Sequence, residues 1–138
     1  MYTEKSIAKY LKQAKETEKR YLPMKAEEIQ VVISKGNRKI GHTLNVSLAP
    51  IFTCANCKEC KYFCYDIKAC LQYPKNVLQA RIKNTVLLRK SMEEYFNQIR
   101  KVIKRRRKNF FFRWHVSGDI VSEEYLSNMV KIAKEFPY

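Results

Sequence analysis

The sequence predicts an α/β protein: a small sheet with helices packed on it and a cysteine-rich loop inserted between them. Three observations lead there. Two stretches rich in β-branched or aromatic residues, Ile29-Gln-Val-Val-Ile33 and Phe110-Phe-Phe-Arg-Trp-His-Val116, read as strands. Several segments repeat apolar residues at helical spacing. All five cysteines lie between Cys54 and Cys70, in a polar stretch without a core pattern. The 138 residues, 46% hydrophobic and 12% aromatic, suffice for one folded domain with a real core. We divide it into an N-terminal helix and linker (1–27), strands (28–52), the cysteine loop (53–72) and a helix–helix–strand–helix region (73–138).

Residues 5–20 form an amphipathic helix, with Ile7, Tyr10, Leu11 and Ala14 on one face and Pro23 ending it. Strand 29–33 runs into the turn Ser34-Lys-Gly-Asn-Arg-Lys39. Leu44 to Leu48 offers a second short strand, so the pair suggests a hairpin. The same turn, with Lys35, Arg38 and Lys39, also has the makings of an anion-binding nest, although a plain surface turn accounts for it. His42 reads as surface.

After the cysteines, Pro74 suits the first turn of a helix over 75–89, with Leu78, Ile82, Val86 and Leu87 as its apolar side. Ser91-Met-Glu-Glu94 is a capping box. It starts a helix with the best stripe in the chain: Met92, Tyr95, Phe96, Ile99, Val102 and Ile103. Strand 110–116 is apolar on both faces and reads as central and covered. Ser122 caps a last helix whose stripe is Tyr125, Leu126, Met129, Val130, Ala133 and Phe136. No parallel strand follows it, so the chain reads as a shortened form of a larger α/β fold or as a small sheet capped by that helix.

Cys54, Cys57, Cys60 and Cys64 follow the spacing C-x2-C-x2-C-x3-C, the run with which bacterial ferredoxins hold a [4Fe–4S] cluster. Cys70 competes with Cys64 as fourth ligand. A structural zinc is the alternative, although zinc modules usually separate their two pairs by a dozen residues or more. An odd cysteine count and close spacing argue against disulfides. No apolar run approaches bilayer length and the N-terminus is polar, which points to a cytoplasmic protein with no membrane partner.

The formal charge is +15, from 28 Lys and Arg against 13 Asp and Glu. Residues 75–114 hold thirteen of those cations and, as acids, only Glu93 and Glu94. Lys101, Lys104, Arg105, Arg106, Arg107 and Lys108 are placed to track a phosphate backbone, with nucleic acid or a nucleoprotein complex as partner. Tyr95 and Trp114 are near enough to stack bases, though their spacing fits a core better. His115, Ser117 and Asp119 lie where a strand gives way to a helix, the place where open α/β sheets bind ligands. They are candidate catalytic residues; the competing reading is a shaped turn with a satisfied core histidine.

Together, Ser34-Lys-Gly-Asn37, Asn45 to Pro50, Thr53-Cys54 through Cys64-Tyr65, Tyr73-Pro74, Asn84 and His115-Val-Ser-Gly-Asp119 resemble the gene product 88 family of phage and mobile-element proteins. The resemblance spans about 34–136 and leaves the N-terminal helix outside. It implies a phage or prophage origin and a metal-bearing site to which Cys54, Cys60 and Cys64 carry over. The resemblance also implies that relatives continue past the last helix, so the chain is expected to be a C-terminally shortened member.

The leading expectation is a phage-encoded basic protein with a cysteine-bound cluster that grips nucleic acid or an anionic host complex in the bacterial cytoplasm. Two others stand beside it. One is an iron–sulfur enzyme, a remnant similar to radical S-adenosylmethionine enzymes, with its pocket at His115–Asp119. The other is a protein-directed inhibitor of a host defence nuclease.

Overall fold

The computed structural model describes residues 2–39, 41–106 and 111–137. Among them it forms five α-helices and one two-stranded parallel sheet, a mixed α/β protein. Helix α1 (Glu4–Tyr21) begins at Thr3, whose hydroxyl accepts the Ser6 amide at 3.3 Å. Its buried face is Ile7, Tyr10, Ala14 and Tyr21. Strand β1 (Leu44–Val46) pairs in parallel with β2 (Phe112–Trp114), Leu44 opposite Phe112 and Val46 opposite Trp114. Between the strands lie the cysteine segment, α2 (Tyr65–Gln72), a wide π-type turn at Pro74–Leu78, α3 (Gln79–Lys90) and α4 (Met92–Arg105). Helix α5 (Glu123–Glu135) follows β2.

Helix α3 is the centre of the packing. It contacts both α1 and α4; α2 leans on α1, and α5 on α4. The core gathers Tyr10, Leu48, Leu87, Phe96, Ile99 and Tyr125 from these elements.

Four expectations need correction. The segment 29–33 is extended but, among the described residues, pairs with no strand; the expected hairpin shrinks to two isolated antiparallel bridges, Ser34 with Asn45 and Asn37 with Gly41. Helix side chains take the partner strand's place. The Asn84 Oδ1 accepts the Val32 amide at 2.7 Å and its Nδ2 donates to the Val32 and Ser47 carbonyls, both at 3.0 Å. The Gln98 side chain accepts from Val31 at 2.7 Å and donates to the Ile29 carbonyl at 2.9 Å. Buried backbone polar groups need partners, and here amide side chains supply them.

Second, β2 is not a covered central strand. Among the described residues its one neighbour is β1, and Arg113 is exposed. Phe112 and Trp114 are half-buried and pack ring against ring. Phe110 and Asn109, assigned to this strand and the turn before it, lie outside the described residues.

Third, the cysteine segment is not all loop, because α2 takes up its last eight residues with Ile67 and Cys70 facing inward. Fourth, the buried side of α5 is rotated. Tyr125 and Ile132 are buried, while Leu126, Val130 and Ala133 face solvent. Its main neighbour among the described elements, α4, needs only a narrow stripe. His42 is exposed, and the Asn37 side chain accepts the Lys39 amide at 2.9 Å in the surface turn beside it.

Candidate functional site

The cysteine segment starts where β1 gives out. The Ala49 amide is held by the Thr85 hydroxyl at 2.9 Å, and the Pro50 carbonyl accepts from the Tyr10 hydroxyl at 2.7 Å. Ile51 then turns the chain with φ at +71°, a conformation that β-branched residues avoid, and the Thr53 hydroxyl donates back to the Ala49 carbonyl at 2.8 Å. Cys60–Phe63 is a single 3-10 turn, and Cys64 sits at the start of α2. The turn is tied to the N-terminus, where the Tyr2 amide donates to the Tyr62 carbonyl at 2.7 Å and the Tyr62 hydroxyl to the Glu4 carboxylate.

None of the five cysteines is in a disulfide. The Cys57 and Cys60 sulfurs are 3.3 Å apart. Burial pushes the Cys57 thiol up to about 12, helped by its hydrogen bond to Cys60 and by the neighbouring thiols. Cys54 is also raised, chiefly by burial; the Cys64 and Cys60 thiolates and the Asp119 carboxylate add to the rise. Four thiols thus lie within range of one another's charge, an arrangement that costs energy when they ionise and that a cation relieves.

Cys70 is different. It faces the core and its thiol points at the Asp66 carboxylate, 3.8 Å away, which is in turn held by Arg81 at 3.1 and 3.2 Å. Burial first, and then the Asp66 charge, hold that thiol well above its ordinary range. Among the described residues no group of three or more His, Cys, Asp or Glu side chains is drawn together tightly enough to hold a metal ion.

The second motif lies against the first. Beyond β2 the His115 amide donates to the Val46 carbonyl at 2.9 Å, and the Leu48 amide donates to the Ser117 carbonyl at 3.0 Å, so the ladder runs on past the strands. The Ser47 hydroxyl accepts the Val116 and Ser117 amides at 3.1 and 3.3 Å. His115 has φ at +56°, and its Nε2 is 2.8 Å from the Tyr125 hydroxyl, itself 2.8 Å from that of Tyr95. Burial lowers the pKa of His115, with Asp119 and the Gly118 backbone opposing, which favours the neutral ring. Neither His115 Nδ1 nor Ser117 Oγ has a hydrogen-bond partner, though both are buried atoms. Asp119 is exposed and caps the Ile120 amide at 2.8 Å. His115, Ser117 and Asp119 make no hydrogen bond to one another.

The Tyr65 hydroxyl, one residue past Cys64, donates to the Val116 carbonyl. Gly118 packs so closely that an added Cβ would lie 2.6 Å from Leu48 Cβ and 2.8 Å from Thr53 Oγ1. Cysteine segment and His-Val-Ser-Gly-Asp loop are therefore one structural unit. The gene product 88 family model matches residues 6–138. The chain belongs to the gene product 88 family. Its family name places it among phage proteins. The match begins at residue 6, so α1 lies within the family's span and not outside it. No curated protein and no solved structure matches the chain.

In this gene product 88 protein the basic stretch is split. Lys101, Lys104, Arg105 and Arg106 are exposed at the end of α4, whereas Arg107 and Lys108 lie outside the described residues. Two ion pairs form among the described residues, Arg81 with Asp66 and Arg100 with Glu135, and neither involves Lys101, Lys104 or Arg105. Tyr95 is fully buried and Trp114 packs on Phe96 and Phe112, so both serve the core. Among the described residues no helix is long and apolar enough to cross a membrane.

Asn84 and Gln98 were not expected to matter structurally. The signal that marks Asn84 is its place three and four residues before Leu87 and Leu88, in line with the apolar side of the helix. Gln98, on a polar face, carries no such mark.

Proposed function

We propose that this phage protein carries a cysteine-bound metal centre and uses its basic surface to bind nucleic acid or an anionic host nucleoprotein complex in the bacterial cytoplasm. What carries the reading is the excess of exposed positive charge. Lys101, Lys104 and Arg105 stand exposed along one helix end without a carboxylate partner among the described residues, in a chain of net charge +15. Cys54, Cys57, Cys60 and Cys64 would hold the metal centre. When bound, the centre braces the loop covalently and, as a [4Fe–4S] cluster, can carry an electron. The ferredoxin-like spacing favours that cluster.

A single zinc is the second reading, favoured by the 3.3 Å between Cys57 and Cys60. Two sulfurs sharing one tetrahedral zinc at about 2.3 Å lie about 3.8 Å apart. A catalytic role for the 115–119 loop is a further reading, favoured by the unpartnered His115 Nδ1 and Ser117 Oγ.

Two measurements test the proposal. Protein purified without oxygen is analysed for iron, sulfide, zinc and absorption. Brown protein with about four irons supports the cluster, one zinc supports the second reading, and metal-free protein that folds and binds normally removes the centre altogether. Nucleic-acid affinity is then measured against salt. A log–log slope near zero, or no binding, sinks the binding role.

A further inference from the structure

Nine large apolar side chains are exposed among the described residues, and three of them fall within eleven positions around α2: Phe63 (69% exposed), Tyr65 (62%) and Tyr73 (52%). All three are aromatic. We infer that this face, the outer side of α2 with the turn before it and the residue after it, is a stacking surface for single-stranded nucleic acid. The inference rests on the nucleic-acid reading above and narrows it to a strand type and a place.

The helix geometry builds the middle of this face. Asp66, Ile67 and Cys70 point inward, so Tyr65, Lys68 and Gln72 share the outward side at the i, i+3, i+7 positions. The Gln72 side chain reaches the Tyr73 hydroxyl at 3.1 Å and extends the face past the helix end. From Tyr65 to Tyr73 the rise is about 12 Å, room for a few nucleotides. Among the described residues none of the three rings stacks on another aromatic ring. Tyr65 is held by its hydroxyl on the Val116 carbonyl, which fixes the ring while leaving most of it open, and a fixed ring loses less freedom on binding.

Charge completes the match. Lys61, Lys68 and Lys75 are interleaved with the rings. The carboxylate within α2, Asp66, is buried and neutralised by Arg81, and the exposed acids beside this face are Glu59 and Glu4, the latter engaged by the Tyr62 hydroxyl. Rings offer a π-face to any unpaired base and lysines follow the phosphates, the combination that binds single strands without reading sequence. A duplex keeps its base faces covered, so it can use only the lysines. Of the other exposed apolar residues, Leu22, Ile120, Val121, Leu126 and Val130 are aliphatic and lack this chemistry; Phe111 is aromatic but has no second exposed ring near it in sequence.

The experiment uses the full chain and a labelled oligothymidine of about twenty nucleotides, compared with a duplex of equal length by fluorescence anisotropy. The single strand is expected to bind on the order of tenfold tighter than the duplex. Phe63→Ala and Tyr73→Ala should each weaken single-strand binding by on the order of tenfold without changing the salt slope. Lys68→Gln and Lys75→Gln should each reduce that slope by roughly 0.7. Leu126→Ala, exposed elsewhere, should bind as the parent chain does.

Equal affinity for duplex and single strand, or full binding by both alanine variants, overturns the inference and leaves the broader nucleic-acid reading standing. Failure to bind either nucleic acid overturns both.

Discussion

Replacing Asn84 by leucine tests the substitution of side chains for a missing strand. Asn84 is almost wholly buried and makes three hydrogen bonds, one accepted from the Val32 amide and two donated to the Val32 and Ser47 carbonyls. Leucine keeps the number and branching of the side-chain heavy atoms, with somewhat more bulk, and removes all three. The Ser47 residue is buried, so its orphaned carbonyl costs about 1–3 kcal/mol. Val32 is half-buried and water can replace part of what is lost, so its two bonds cost roughly 0.5–1 kcal/mol each. The gain from burying leucine offsets about 1 kcal/mol.

The expected net loss is about 1–4 kcal/mol, a large share of the roughly 5–15 kcal/mol typical of a domain. In a urea titration with a slope of roughly 1–3 kcal/mol/M, the midpoint should fall by about 1 M with the slope unchanged. Asn84→Asp should cost more still, since it aims a carboxylate at two carbonyl oxygens. A midpoint within about 0.2 M of the parent for both variants would refute the reasoning, because the extended segment would then be held by something else.

Three further outcomes follow from the loop beyond β2. Tyr125→Phe strands both the Tyr95 hydroxyl and His115 Nε2, so it should cost about 2–4 kcal/mol, and Tyr95→Phe about 1–2 kcal/mol; the double variant in urea should lose less than the sum of the two. Gly118→Ala meets both a φ of +85° and the contact with Leu48, and should lower the melting temperature by roughly 6–12 °C, as scanning calorimetry would record. His115 has a folded pKa below its ordinary 6.5, so the unfolded chain binds the extra proton first. The stability it contributes is complete above about pH 6.5 and declines as pH falls toward the lowered folded value. His115→Asn, which tolerates the left-handed backbone, should flatten that part of a urea-midpoint profile between pH 7.5 and 5.

Local signals were readable because they act over a few residues. The Ser91 and Ser122 hydroxyls accept the Glu94 and Tyr125 amides, both at 3.1 Å, as N-caps do, although the reciprocal half of the Ser91–Glu94 box is missing because the Ser91 amide donates to the Leu87 carbonyl. The α4 stripe buries Tyr95, Phe96 and Ile99 as its periodicity demands. Partners distant in sequence were not readable. Nothing within Ile29–Ile33 says that its amides will meet Asn84 and Gln98 and not a neighbouring strand. Leu126 and Val130 look like core from spacing alone; their exposure reflects how few elements pack on α5.

At the site, both motifs could be picked out singly. Their meeting depends on Tyr65 reaching Val116 and on Gly118 fitting against Leu48 and Thr53, contacts that only the parallel pairing of β1 with β2 brings about.

That pairing has a kinetic consequence. Leu44 meets Phe112 only after nearly half the chain has been gathered into a closed loop, and such late closures slow folding because entropy is lost before contacts repay it. The cysteines lie inside that loop, and anything that cinches Cys54 to Cys64 shortens the free path between the strands. A metal captured early would therefore speed the search for the native sheet, and a chain that acquires it late would refold more slowly to the same end.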